Sequence, residues 1–192
     1  MPGPDGRFRV IAVGRLDPQK GFDLLIAAFA RVAPALQDWD LVIFGEGAEL
    51  PSLEAMIAER GLGDRVRLLG VSGEIDRELA RSHLMAFPSR FEGFPNALAE
   101  AMAAGLPAIG FRGVSGVEEL IEHGRTGLVT SMDGTALADA LEALMADPRR
   151  RELYGQAARL RSATWNPQSI LSRWEDLLLA AASPSVHTVN PG

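Results

Sequence analysis

The sequence repeats one pattern along most of its length: a short apolar run, a polar turn that often contains glycine, and a helix with one apolar face. In the first repeat the apolar run covers residues 8–13, the turn residues 14–21 and the helix about residues 22–32. Short continuous apolar runs are typical of parallel strands that are buried on both faces. The repeat therefore predicts a parallel sheet with helices on both sides.

Further repeats extend this pattern to five or six strands. Because successive parallel strands are joined by right-handed crossovers, every turn that follows a strand lies at the same edge of the sheet. Ligands of such sheets bind beyond the carboxyl ends of the strands. We therefore predict a doubly wound, Rossmann-like α/β fold with its site at that edge. The later strands are predicted at residues 40–44, 66–69, 84–87, 106–111 and 128–130, and the later helices at about 49–60, 75–81, 95–104, 117–122, 134–145 and 148–161.

Composition narrows the class of protein. The 192 residues, 47% of them hydrophobic, are enough for one domain with a sizeable core. The net charge of -6 argues against a nucleic-acid partner, and the absence of cysteine excludes disulfides and thiolate chemistry. The start of the chain lacks the apolar segment of a signal peptide, and no apolar run reaches about 18 residues. A soluble, cytoplasmic domain is expected.

The richest stretch covers residues 89–110, where a strand end, a polar loop and a helix follow one another. Pro95 is predicted at the first helical position, which suits proline because the N–H it lacks would be unpaired there. The N–H groups of residues 96–98 then face outward at the positive end of the helix dipole, which favours a phosphate. Glu92 on the loop and Glu100 one turn inside the helix flank this anion site. A diphosphate with a sugar at each end has the complementary charge pattern.

Seven residues separate Glu92 from Glu100, in the frame E-G-F-P-N-A-L-A-E, and A-M-A-A-G-L-P follows. This stretch resembles the E-x7-E signature of the retaining, nucleotide-sugar-dependent glycosyltransferases of the GT-B fold, the group 1 enzymes often called family 4. The resemblance implies that Glu92 contacts hydroxyls of the transferred sugar and that Glu100 holds the ribose. It also implies that these carboxylates position the substrate and do not attack it.

The turn after the first strand reads G-R-L-D-P-Q-K-G and resembles the phosphate-binding motif of the same family. Its lysine, Lys20, is the only one in the chain, against eighteen arginines. Two cations there would stabilise the charge that develops on the departing nucleoside diphosphate, so no metal is expected. The expected substrate is a UDP- or GDP-linked sugar. The resemblance assigns catalysis to Glu92, Arg15 and Lys20, and substrate binding to Gly14, Arg15, Lys20, Val71, Glu92, Gly93, Phe94, Asn96, Ala97, Leu98 and Glu100.

GT-B enzymes have two Rossmann-like domains, and this chain resembles the second, donor-binding one alone. We expect a disordered lead at residues 1–7, the nucleotide-sugar-binding domain at 8–164, a terminal crossover helix at 165–182 and a disordered tail at 183–192. The apolar stripe of that helix either crosses to the other domain, as the resemblance implies, or covers this domain's own core. The expected partner is a missing N-terminal acceptor-binding domain, through which the chain would meet the inner face of the cell membrane.

The resemblance further implies a hexosyltransferase of bacterial cell-surface glycan synthesis, inactive or weak without the other domain. Two alternatives stay open. A GT-B epimerase of nucleotide sugars would share the sheet and part of the cleft, although the G-R-L-D-P-Q-K-G and E-G-F-P-N motifs favour a transferase. The other is a non-catalytic nucleotide-sugar-binding subunit, although the intact Arg15, Lys20, Glu92 and Glu100 argue against decay of the site. The nucleotide base and the sugar cannot be inferred from the sequence.

Overall fold

The computed structural model describes residues 6–165 and 167–182. Its six strands form one sheet in the order β3-β2-β1-β4-β5-β6, and all of the strand pairs are parallel. The predicted doubly wound parallel sheet is therefore confirmed. The strands are β1 (Phe8–Val13), β2 (Trp39–Phe44), β3 (Val66–Leu68), β4 (Leu84–Phe87), β5 (Ala108–Phe111) and β6 (Gly127–Thr130).

Helices cover both faces of this sheet. Helix α1 packs against α2 and α6 on one side, whereas α4 packs against α3, α5 and α7 on the other. The helices are α1 (Phe22–Val32), α2 (Leu50–Glu59), α3 (Ile75–Ala80), α4 (Asn96–Ala103), α5 (Ser115–Leu120), α6 (Gly134–Met145), α7 (Pro148–Ser162) and α8 (Pro167–Ala182), with a 3-10 turn at Pro18–Lys20.

The strand order reverses direction between β1 and β4. The chain leaves β1 toward β2 and β3 and then crosses back, so that β4 pairs with the free side of β1 at Val10↔Leu84 and Ile11↔Met85. The connections that follow β1 and β4 therefore run to opposite sides, which leaves a crevice between them at the carboxyl edge. The fold thus places its natural ligand site between the turn after β1 and the loop after β4.

A buried arginine fastens α7 to the amino edge of the sheet. Arg151 is only 8% exposed, and its guanidinium lies 5.2 Å from the ring centroid of Phe8 and 4.8 Å from that of Trp39. Its Nη1 donates to the carbonyls of Leu144 and Met145 at 2.7 and 2.6 Å, in the last turn of α6. Burial lowers the pKa of Arg151. The arginine therefore stabilises a helix end with unpaired carbonyls and joins α6, α7 and the sheet.

The N-terminus of α6 is capped by Asp133. Its Oδ1 accepts from the N–H of Ala136 at 2.8 Å and of Thr135 at 3.0 Å, and its Oδ2 accepts from the Ser131 hydroxyl. These bonds, the one from Ala136 foremost, lower the pKa of Asp133 below its ordinary value. A carboxyl with a lowered folded-state pKa stabilises the fold above its ordinary pKa, and this stabilisation is lost as the pH falls through the lowered value.

We therefore expect Asp133→Ala to lower the melting temperature at pH 7 and to do so less as the pH falls below about 4. Asp133→Asn keeps a capping oxygen without the charge, so its melting temperature should depend less on pH in that range than the wild type's. Thermal unfolding followed by circular dichroism between pH 7 and pH 3 measures both. A deficit of Asp133→Ala that stays constant across this range would contradict the assignment.

Both predicted chain ends reach beyond the described residues. Of the predicted lead, residues 1–5 lie outside them, whereas Arg7 binds Asp40 with Nε–Oδ2 and Nη2–Oδ1 distances of 2.8 and 2.7 Å. The predicted tail at 183–192 also lies outside them. Helix α8 exposes Leu171, Trp174 and Leu177 by 56–64%. These side chains do not cover the domain's own core.

Candidate functional site

Two loops flank the crevice between β1 and β4. We call residues 14–21 the β1 loop and residues 88–95 the β4 loop. The 3-10 turn of the β1 loop ends at Gly21, whose φ of 67° favours glycine. A Cβ on Gly21 would lie 2.2 Å from the Pro88 carbonyl oxygen, so glycine also lets the two loops approach.

Lys20 and Glu92 meet across the crevice. Lys20 Nζ lies 2.5 Å from Glu92 Oε1, with side-chain exposures of only 16% and 9%. The stem of Lys20 runs over Gly14, where a Cβ would come within 3.1 Å of it, and Nζ lies 5.6 Å from the centroid of the Phe87 ring. A side chain at position 14 would therefore make the lysine stem shift by a few tenths of an ångström. The structure brings together the cation and the acid that the sequence assigned to phosphate and sugar.

Arg15 lies at the same edge and is largely exposed. Its side chain is 75% exposed, and its Nη2 lies 3.2 Å from Asp17 Oδ2. Among the described residues, no donor reaches the other carboxylate oxygen of Asp17, although that oxygen is buried. Arg15 is therefore close to the crevice without being fixed by a strong contact, since exposed ion pairs contribute little.

A cavity of about 530 Å³ opens beside the β1 loop, which lines it with Gly14 and Arg15, whereas no described residue of the β4 loop lines it. Glu100 lines it from the second turn of α4, and its exposed carboxylate has no hydrogen-bond partner in the described part of the chain. Val71, which is 71% exposed, also lines it. A free carboxylate next to an apolar wall suits a ribose with an attached base. The lining residues are Val13, Gly14, Arg15, Phe44, Gly45, Glu46, Val71, Ser72, Ile75 and Glu100.

The start of α4 differs from the prediction. Pro95 is the N-cap, not the first helical residue, and its carbonyl accepts from the N–H of Leu98 at 3.0 Å. The N–H of Asn96 donates to the Phe94 carbonyl at 3.1 Å. Of the three N–H groups predicted to face an anion, two are thus engaged within the chain, and only that of Ala97 has no acceptor among the described residues. The tight turn that leads into the helix uses the other two.

The remaining predicted residues lie on the same loop or just behind it. Gly93 and Phe94 are exposed, Phe94 by 58%, whereas the side chain of Leu98 is fully buried in the core. The start of α5 closes the loop from behind, because a Cβ on Gly116 would lie 2.5 Å from the Gly93 carbonyl oxygen. Leu98 therefore supports the helix and has no side-chain role in the crevice.

Sequence reasoning missed Arg90, which stands two residues before the first residue of the E-G-F-P motif. Its Nη2 binds both carboxylate oxygens of Asp23 on α1, at 2.8 and 3.1 Å. The only sequence signal for this ion pair is an arginine in the β4 loop and an acid just after the lysine motif. The two residues meet because β4 pairs with β1, and that pairing cannot be seen in the sequence.

Two other kinds of site are a metal centre and a membrane-spanning helix. Within the described part of the chain, no three His, Cys, Asp or Glu side chains are grouped so that they could hold a metal ion. Of the helices in residues 6–165 and 167–182, none is both long enough and apolar enough to cross a bilayer.

The fold and the crevice define a Rossmann-like α/β domain. Comparison with known families gives the class of protein. The chain belongs to the family of glycosyl transferases group 1, whose family model matches residues 2–161. The predicted membership of this family is confirmed.

Relatives of the chain include an exopolysaccharide phosphotransferase and a biosynthetic glycosyltransferase, both from bacteria. An exopolysaccharide phosphotransferase of Streptomyces coelicolor is 39% identical over 176 residues, which cover 91% of this chain and 19% of that protein. An amylovoran biosynthesis glycosyltransferase of Erwinia amylovora is 36% identical over 171 residues, covering 88% of this chain and 48% of that protein. The chain thus spans less than half the length of either relative.

Solved structures with the same fold include HepE from Anabaena, crystallised with UDP and glucose. It matches with a TM-score of 0.83 and 27% identity, over 91% of this chain and 49% of that chain. The C-terminal domain of a group 1 glycosyl transferase from Francisella tularensis gives a TM-score of 0.75 at 24% identity, over 85% of this chain and 87% of that domain. The predicted fold class, the C-terminal domain of a GT-B glycosyltransferase, is confirmed.

Proposed function

We propose that this chain is the donor-binding domain of a retaining glycosyltransferase, which transfers a hexosyl group from a UDP- or GDP-linked sugar to an acceptor. The observation that carries the proposal is the contact between Lys20 and Glu92 at 2.5 Å, across the point where the strand order reverses. Ligands of open α/β sheets bind at that point. A cation and an acid from two different loops meet there, as a phosphate next to a sugar requires.

Each part of the crevice has a role in this proposal. Lys20 and Arg15 neutralise the diphosphate as the bond to the sugar breaks, when negative charge develops on the leaving oxygen. Glu92 accepts hydrogen bonds from hydroxyls of the transferred sugar, and Glu100 accepts from the ribose. Main-chain N–H groups of Gly93, Phe94 and Ala97 complete the contacts. The leaving phosphate oxygen takes the proton of the acceptor, so that neither acid forms a covalent bond.

Binding of the donor requires Lys20 to change partners. In the described structure its ammonium is held by Glu92, and both groups are largely buried. A diphosphate offers the lysine a stronger, doubly charged partner, while the sugar hydroxyls offer Glu92 neutral donors. Before the donor binds, the charges of Lys20 and Glu92 therefore neutralise each other. The two side chains separate when the donor enters.

We further propose that the acceptor binds to another domain. The Erwinia relative is about twice as long as the segment it shares with this chain, which covers 48% of it. The exposed apolar side chains Leu171, Trp174, Leu177 and Leu178 on α8 suit a helix that packs on such a domain. Transfer by the chain alone should then be weak or absent. The names of relatives such as the exopolysaccharide phosphotransferase support a role in bacterial cell-surface glycan synthesis.

The proposal is tested by titrating the 192-residue chain with UDP and with GDP in a calorimeter. We expect one of them to bind, and Glu100→Gln to weaken it about tenfold, because a ribose hydroxyl then loses a charged acceptor worth about 1.5 kcal/mol or more. Glu142→Gln changes an exposed acid on α6 and serves as the control. The absence of heat with both nucleotides would overturn the proposal. Binding without sugar transfer, even with an acceptor domain added, would favour a non-catalytic subunit.

A further inference from the structure

The β1 loop and the β4 loop are joined next to the Lys20–Glu92 pair. The main-chain N–H of Arg90 donates to the Gln19 carbonyl at 2.7 Å. In return, Gln19 Nε2 donates to the Phe91 carbonyl at 2.8 Å. These bonds flank the two charged residues, because Gln19 precedes Lys20 and Phe91 precedes Glu92. They align the loops but leave the side chains of the pair free to move.

The side chain of Arg90 adds a second connection on the α1 side. Its Nη1 donates to the Pro18 carbonyl in the β1 loop, and its Nη2 donates to Asp23 Oδ2 and Oδ1 at 2.8 and 3.1 Å. The hydrogen bond to Asp23 raises the pKa of Arg90. A planar guanidinium that holds one carboxylate and one carbonyl fixes direction as well as distance.

This arrangement determines how far apart the two halves of the crevice lie. Arg90 stands two residues before Glu92, and Asp23 stands three residues after Lys20. The Arg90–Asp23 pair is partly shielded, with exposures of 31% and 35%. Without the Arg90 side chain, which also donates to the Pro18 carbonyl, one backbone bond, one amide bond and the Lys20–Glu92 pair would still join the loops. The last of these is the contact that the donor must break.

We propose that Arg90 is a positioning residue for donor binding: it holds the β4 loop on the β1 loop, so that Lys20 and Glu92 keep their spacing after they release each other. This inference rests on the proposed function. Arg90 acts through Lys20 and Glu92 and touches neither the phosphate nor the sugar. Its contribution therefore exists only while Lys20 is present to bind the phosphate.

The test uses titrations of the 192-residue chain with whichever of UDP and GDP the wild type binds. Arg90→Ala should weaken binding about tenfold, within the loss that a misplacement of about 1 Å can cause. Arg90→Lys should recover part of it, because an ammonium keeps the charge but not the planar geometry. The matched control is Arg9→Ala. It removes an ion pair with Glu78 of 2.8 Å, exposed by 21% and 20%, at the opposite edge of the sheet.

A double variant separates positioning from general loss of structure. If Arg90 acts through Lys20, Arg90→Ala combined with Lys20→Ala should bind no more weakly than Lys20→Ala alone. Effects that multiply would overturn the inference, as would an Arg90→Ala affinity equal to that of Arg9→Ala. Asp23→Asn, which preserves shape, should weaken binding in the same direction if Arg90→Ala fails to fold. Lack of binding by the wild type would instead overturn the proposed function itself.

Discussion

Lys20→Ala is expected to weaken the binding of UDP or GDP by about 10- to 100-fold, because a hydrogen bond to a charged group contributes about 1.5–3 kcal/mol. The loss should be at the upper end, since Lys20 is only 16% exposed and solvent screens it little. Its removal also leaves Glu92, 9% exposed, without a counter-ion beside an anionic ligand. Isothermal titration of the variant and the wild type measures the change.

Glu92→Gln is the matched control and should act in the opposite direction. The free nucleotide has no sugar for Glu92 to bind, yet it must draw Lys20 away from that acid. Removing the charge should therefore strengthen UDP or GDP binding about fivefold or more, since a largely buried ion pair, worth about 1 kcal/mol or more, no longer has to be broken. If both variants weakened the free nucleotide equally, Glu92 would not be a competitor for the lysine.

Gly45→Ala should destabilise the chain by about 3 kcal/mol or more, because its Cβ would meet backbone atoms that cannot move aside. At Gly45, φ is 147°, and an added Cβ would lie 1.8 Å from the Gly14 carbonyl oxygen. In a chain of this size the melting temperature should fall by roughly 6–12 °C. Because Gly14 supports Lys20, nucleotide affinity should fall as well. Thermal unfolding and titration measure the two effects.

Gly70→Ala separates the collision from the backbone conformation. Gly70 also has a positive φ, of 68°, but nothing lies within 4 Å of the position that a Cβ would take. Its replacement should cost only the left-handed penalty of about 1–2 kcal/mol. Equal losses of stability at the two positions would mean that the close approach of Gly45 to Gly14 adds no cost beyond that of the left-handed backbone.

The sheet was predictable because its signal is local. Strand β1 and helix α1 have the predicted bounds, since a buried parallel strand and an amphipathic helix are both visible in a few consecutive residues. The fifth strand begins later than predicted, at Ala108. Gly105 has a φ of 83°, and the N–H of Leu106 still donates to the carbonyl of Ala101. Leu106 is therefore bonded to the C-terminal end of α4, and the strand begins only after it.

Site residues could be predicted from the sequence where they lie in a recognisable motif. They could not be predicted where a contact joins residues that are far apart in the chain. The motifs identified Lys20, Glu92 and Glu100, which lie at one edge of the sheet. The partner of Arg90 could not be predicted, because its ion pair with Asp23 depends on how β4 pairs with β1. Arg151 is a similar case: a run of three arginines is typical of a solvent-exposed surface, yet the third is buried against two aromatic rings.

The pairing of β1 with β4 has a consequence for folding. Val10 and Leu84 are neighbours in space, although the whole of β2 and β3 lies between them in the chain. Closing so long a loop costs conformational entropy before any contact compensates it, so such long-range pairings form slowly. A folding intermediate with the two halves of the sheet formed but not yet joined would keep most secondary structure and yet have no crevice. Recovery of nucleotide affinity during refolding would thus report the moment at which those halves dock.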